Sequence, residues 1–88
     1  MASYSLFLKP SVEKDLRHLP KPLLARVWQR IEALSEEPLP RQSTKLAGAE
    51  HLYRLRVGDY RVIYSVDHQA KHIIVHYVRH RRDAYRAL

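Results

Sequence analysis

The chain of 88 residues contains no cysteine. A disulfide framework and a thiolate zinc site are therefore excluded, and any stability must come from an ordinary packed core. No apolar run approaches the roughly 20 residues of a membrane-spanning helix. The N-terminus, MASYSLFLKP, has no basic start before its apolar stretch, so it does not read as a signal peptide. Together with the missing cysteines this fits a cytoplasmic protein. Only two glycines are present, and 45% of the residues are hydrophobic, which argues for a packed globule and against a disordered chain. There is no glycine-rich phosphate loop, no HExxH, no nucleophile-elbow serine and no carboxylate cluster of metal-site type. His72 and His76 lie four apart on a strand, about 13 Å at strand rise, too far to hold one metal. No cofactor is expected.

Acidic residues are also scarce. Nine Asp and Glu stand against sixteen Lys and Arg, a net charge of +7. The excess is uneven: residues 1–44 carry seven basic and five acidic residues, residues 45–88 nine and four, together with five of the six histidines. A basic domain of this size usually meets a polyanion, either a nucleic acid or an acidic partner protein.

What is present begins with alternation. Tyr4, Leu6 and Leu8 alternate with Ser5, Phe7 and Lys9, predicting a strand over residues 3–9 that Pro10 ends. Ser11 is a natural N-cap, and Val12, Leu16 and Leu19 recur at helical spacing, predicting a helix over 12–19 that Pro20 stops. From Pro22 to about Ser35 a second helix carries the stripe Leu23, Leu24, Val27, Trp28, Ile31 and Leu34. Trp28 lies inside that stripe and reads as a core anchor. Residues 36–51, with Pro38 and Pro40, read as a loop.

The organising stretch is Leu52–Val66, LYRLRVGDYRVIYSV. Gly58-Asp59 between two alternating runs predicts a two-residue hairpin, with glycine supplying the positive φ of a type II′ turn. Val57 then faces Tyr60, Arg56 faces Arg61, Leu55 faces Val62 and Tyr53 faces Tyr64. One face is apolar. The other carries Arg54, Arg56 and Arg61 beside Ile63 and Ser65. Like charges directly opposite destabilise a sheet, so this face calls for an anion. A turn around His68 to Lys71 leads to a last strand, HIIVHYV, apolar on both sides. A four-residue turn would pair Asp67 with His72 and Arg61 with Val78, placing Tyr77 in the core. A one-residue change would reverse that. In the tail, RHRRDAYRAL, Arg81 and Tyr85 share a face if it is helical. No repeat or second domain is visible, so residues 1–88 read as a single domain.

A basic face of this kind can bind RNA. It can also cleave it, because the 2′-OH is a built-in nucleophile. Arginine forks match phosphate oxygens, but they carry protons poorly, with pKa values above about 12.

The run KLAGAEHLYRLRVGDYRVIYSV, followed by a hydrophobic strand and HRRDAYR, resembles the RelE/ParE superfamily of bacterial and archaeal toxins. The resemblance covers essentially the whole chain. It implies an α+β fold with two N-terminal helices packed on a four-stranded antiparallel sheet, in the order β-α-α-β-β-β plus a short C-terminal helical turn. It also implies a small, acidic antitoxin as partner. RelE-type members enter the ribosome and cut mRNA through the 2′-OH without metal, whereas ParE-type members inhibit DNA gyrase. Carried over by position, Arg54 and Arg56 match two basic strand positions, often lysine in the family. Arg61 matches a phosphate-binding arginine, Arg81 the late arginine, and Tyr85 a tyrosine that stacks on the substrate base. Retention of this set favours the RNase branch over the gyrase branch. Arg79 and Arg82 are alternatives to Arg81 and, with Lys45 and His51, are candidate RNA contacts. Arginine in place of lysine leaves the proton acceptor open. His80, beside Arg81, is the better candidate for that role and His51 the lesser, since imidazole titrates near neutrality.

Overall fold

The computed structural model describes residues 3–84. In chain order the elements are β1 (Ser5–Leu8), α1 (Pro10–Arg17), α2 (Lys21–Ala33), β2 (Ser43–Lys45), β3 (Leu52–Val57), β4 (Tyr60–Asp67), β5 (His72–His80) and the four-residue turn of helix α3 (Arg81–Ala84). The sheet has five strands in the order β1-β5-β4-β3-β2. It is mixed: β1 runs parallel to β5, and the other neighbours are antiparallel. The α+β architecture with two N-terminal helices stands as expected, but the four-stranded antiparallel sheet is corrected on two counts. Ser43–Lys45 pairs with β3 inside the stretch expected to be a loop, and β1 is parallel to the strand it joins.

Local chemistry accounts for most of the helices' bounds. Pro10 sits in the first turn of α1, where its missing N–H costs nothing. The helix therefore starts one residue before Ser11, and its N-cap is Lys9, without a side-chain cap. The Ser11 hydroxyl instead donates to the His76 carbonyl (3.3 Å). Beyond Val75, β5 has no β1 neighbour, and α1 covers that edge: the Val78 amide donates to Asp15 Oδ2 (3.1 Å). The edge of the strand is thereby capped by α1 at that amide.

The core lies between the helices and one face of the sheet. It contains Val12, Leu16 and Leu19, then Val27, Ile31 and Leu34, then Leu55, Val57, Val62, Tyr64, Val66, Ile73, Val75 and Val78. Trp28 is not its anchor, being 37% exposed. The buried line of α2 runs through Val27, Ile31 and Leu34 at four- and three-residue steps. Trp28 is about 100° round from Val27 and sits at the margin of that line.

Candidate RNA-binding site

The β3–β4 hairpin has the register the alternation predicts, with Val57 opposite Tyr60, Arg56 opposite Arg61 and Tyr53 opposite Tyr64. Gly58 has φ +58°, which a non-glycine residue adopts only at a cost. Since Val62, Tyr64 and Val66 enter the core, Arg61, Ile63, Ser65 and Asp67 face away from the helices.

The pairing of β4 with β5 starts as expected, Asp67 opposite His72, and then slips. Tyr64 pairs with Val75 but Ile63 pairs with Tyr77, so His76 is an extra residue in β5. This bulge reverses the alternation after it. Val78, expected opposite Arg61, goes to the core opposite Val62, and Tyr77, expected in the core, turns to the open face. Arg79 arrives opposite Arg61. The outcome is a row of three arginines, Arg56, Arg61 and Arg79, across three adjacent strands.

Three like charges in a row need local partners. Arg61 is only 6% exposed, and its Nη1 donates to the Gly58 and Tyr60 carbonyls (3.2 and 3.1 Å) at the hairpin turn. Arg79 forms an ion pair with Asp15 and lies over the Tyr77 ring, 5.2 Å from its centre. Arg56 is exposed. Between β2, β3 and β4 a cleft of about 330 Å³ is lined by Arg41, Gln42, Thr44, Arg54, Arg56 and Arg61. Among the described residues, four of the six that line it carry a guanidinium. Such a cleft suits a phosphate and its neighbouring sugar hydroxyls, with planar N–H forks for the anionic oxygens and Thr44 and Gln42 for neutral groups.

Arg41 and Thr44 were not among the residues singled out from the sequence. They enter because β2 pairs with β3, Thr44 standing opposite Arg54. Of the expected site residues, Arg54, Arg56 and Arg61 meet in the cleft and Arg79 adjoins it through Arg61. Arg81 is held at the same end of the sheet, its amide donating to the Asp59 carbonyl of the turn (2.7 Å), and Arg82 is exposed beside it. Three others stand elsewhere. Lys45 is opposite Tyr53, whose ring packs on the core, so it alternates away from the cleft. His51 lies at the far end of β3. His80 is opposite Tyr60, with the two rings edge-to-face at 5.4 Å, on the helix-bearing side of the sheet. The bulge puts it there: without the extra residue, His80 and not Arg79 would share the arginine face. Tyr85 lies outside the described residues. Among those described, no His, Asp and Glu group could hold a metal ion.

The fold, two helices on a mixed five-stranded sheet with a basic cleft on the face away from the helices, is similar to that of solved toxins of toxin-antitoxin systems. Residues 6–85 match the family described as the ParE toxin of the type II toxin-antitoxin system parDE. The protein named "Putative toxin RelE1" of Methanocaldococcus jannaschii is 31% identical over 86 residues, covering 94% of this chain and 96% of that one. The archaeal RelE–RelB complex from Pyrococcus horikoshii OT3 superposes with a TM-score of 0.81 at 38% identity, covering 90% of this chain and 96% of that chain. The toxin-antitoxin complex RelBE2 of Mycobacterium tuberculosis gives 0.77 at 30% identity, covering 89% and 98%. The chain belongs to the RelE/ParE superfamily of type II toxin-antitoxin toxins.

Proposed function

We propose that this toxin is an mRNA endoribonuclease acting on the translating ribosome in the cytoplasm. The carrying observation is the convergence of Arg41, Arg54, Arg56 and Arg61 on one cleft. In the reaction the substrate's 2′-oxygen forms a bond to the adjacent phosphorus as the P–O5′ bond breaks. The 2′-OH loses its proton and the departing 5′-oxygen gains one, leaving a 2′,3′-cyclic phosphate and a 5′-OH. The charge that accumulates on the phosphoryl oxygens falls where the guanidinium groups of Arg54 and Arg56 can meet it, and Arg61, fixed by the turn carbonyls, is preorganised for the same task.

Among the described residues, every ionisable group lining the cleft is an arginine, which stabilises charge but carries protons poorly. Proton transfer would fall to Tyr85, to His80 reaching round the end of the sheet, or to the ribosome and its RNA. Dependence on the ribosome follows naturally, because a cleft that only stabilises charge works slowly on free RNA. The relatives solved with RelB support a cognate antitoxin here. An acidic segment covering the arginine face would neutralise it by charge complementarity.

A second reading comes from the match to the ParE family: inhibition of DNA gyrase. One experiment separates the two. The protein is added to a reconstituted translation reaction with a defined mRNA, and RNA 5′ ends are mapped. Discrete cuts that need ribosomes support the proposal. Intact message, with loss of gyrase supercoiling in a parallel reaction, favours the second reading.

A further inference from the structure

The open face of the sheet has a second concavity. At the end opposite the hairpin turn, a pocket of about 530 Å³ is lined by His51, Asp67, His72 and Ile74, with Ser65 and Val66 among its other walls. Ser65 and Ile74 pair across β4 and β5, as do Asp67 and His72, so these four share the face that bears Arg61. Six residue steps of β4 take Arg61 to Asp67, about 20 Å at strand rise. Between them lie Ile63, opposite Tyr77, and Ser65, opposite Ile74 and hydrogen-bonded to His76 (3.0 Å).

The chemistry of the two concavities differs. The first is built from guanidinium groups. The second has no lysine or arginine among its described lining residues, an apolar wall from Ile74, three imidazole rings (His51, His68 and His72) and one carboxylate. The carboxylate is already oriented: Asp67 Oδ1 accepts from the Gln69 and Ala70 amides (3.0 Å each). Its other oxygen is left to a ligand donor. His72 is itself braced, its ring edge-to-face with Phe7 at 5.1 Å. A planar, uncharged heterocycle fits this set: Ile74 for its surface, imidazole N–H groups for its ring acceptors, and Asp67 for an amine on its edge.

We propose that this pocket holds a nucleobase bearing an exocyclic amine, cytosine or adenine, of the strand whose phosphate occupies the arginine cleft. The course of the strand rests on the RNA reading above; the pocket's base preference does not. A cytosine edge offers an amine to Asp67 and acceptors to the histidines. A uracil edge of the same size puts a carbonyl against the carboxylate.

The test uses nucleosides, which lack the phosphate that would draw them to the arginines. Isotope-labelled protein is titrated with cytidine and with uridine, and NMR shifts are followed. Cytidine should move resonances of His51, Asp67 and His72, and bind about fivefold or more tightly than uridine. Asp67→Asn keeps an oxygen for the two turn amides but replaces the free acceptor by a donor. It should reverse the order, so that uridine binds better. Equal binding of the two nucleosides overturns the proposal, as does an unchanged order in Asp67→Asn. Shifts confined to the arginine cleft, or no shifts, do so too and leave the pocket to a protein partner. The mRNA assay reads independently: cleavage without nucleoside discrimination removes only this inference, and discrimination without cleavage removes only the nuclease reading.

Discussion

Asp15 on α1 pairs with the guanidinium of Arg79 on β5 and, with the same Oδ2, accepts the amide of Val78. One carboxylate thus closes the strand edge and holds the third arginine of the row. Replacing it by alanine orphans an edge amide and removes the counter-charge of a largely buried arginine. Asp15→Ala should lower unfolding stability by about 1–3 kcal/mol in chemical denaturation. Asp15→Asn, which can still accept from Val78, should lose clearly less.

Tyr64 is fully buried, and its hydroxyl donates to the Pro38 carbonyl (2.7 Å), tying the proline loop to β4. Burial is the main cause that pushes its phenol up to about 12; a hydrogen bond from Ser43 opposes this and neighbouring Tyr53 adds to it. Ultraviolet titration should show one tyrosine ionising about two units above the usual phenol. The folded value exceeds the unfolded one, so this contribution to stability is complete below pH 10 and is lost as pH rises towards 12. Tyr64→Phe should abolish the late phase and cost about 1 kcal/mol.

His76 occupies the bulge and shares a hydrogen bond with Ser65 (3.0 Å). Partial burial, and secondarily the charge of Lys9, hold its imidazole below the ordinary value of 6.5. The unfolded chain therefore takes up the proton first as pH falls. Stability should be full above about pH 6.5 and decline as the pH drops through the depressed folded value. Denaturation midpoints measured from pH 7.5 to 5 should fall, and His76→Gln should flatten that part of the profile.

The two faces of α2 make a direct comparison. Ile31 is fully buried, whereas Trp28 is more than a third exposed. Ile31→Ala should cost about 2–5 kcal/mol, in line with core truncations, and Trp28→Ala markedly less. Tryptophan fluorescence of the native protein should peak at the long wavelengths of a partly hydrated indole.

The sequence made the hairpin legible because period-2 alternation and a Gly-Asp turn fix register jointly, and every β3–β4 pair follows from them. It concealed β2, since three residues, Ser43–Lys45, are too few to show a period. It concealed the parallel pairing of β1, which local pattern does not encode. The bulge was hidden for a different reason: β5 is apolar on both sides, so neither face announces where the alternation breaks. That one residue decided whether Arg79 or His80 faces the arginines. Arg41 was missed because its place in the cleft depends on β2. Trp28 was misplaced because a broad helical stripe does not reveal its own margin.

The central claim is that the arginine cleft stabilises charge at a scissile phosphate. Arg56 tests it most directly: it lines the cleft and is exposed, so its replacement leaves the core and the Arg61 contacts in place. The measurement is the rate of mRNA cleavage on translating ribosomes by wild-type protein and by Arg56→Gln, with unfolding stability determined in parallel. The account predicts a loss of about 10²–10³ in cleavage rate, as for removal of one donor from a preorganised anion site, with stability nearly unchanged. Cleavage at the wild-type rate by a fully folded Arg56→Gln would contradict it.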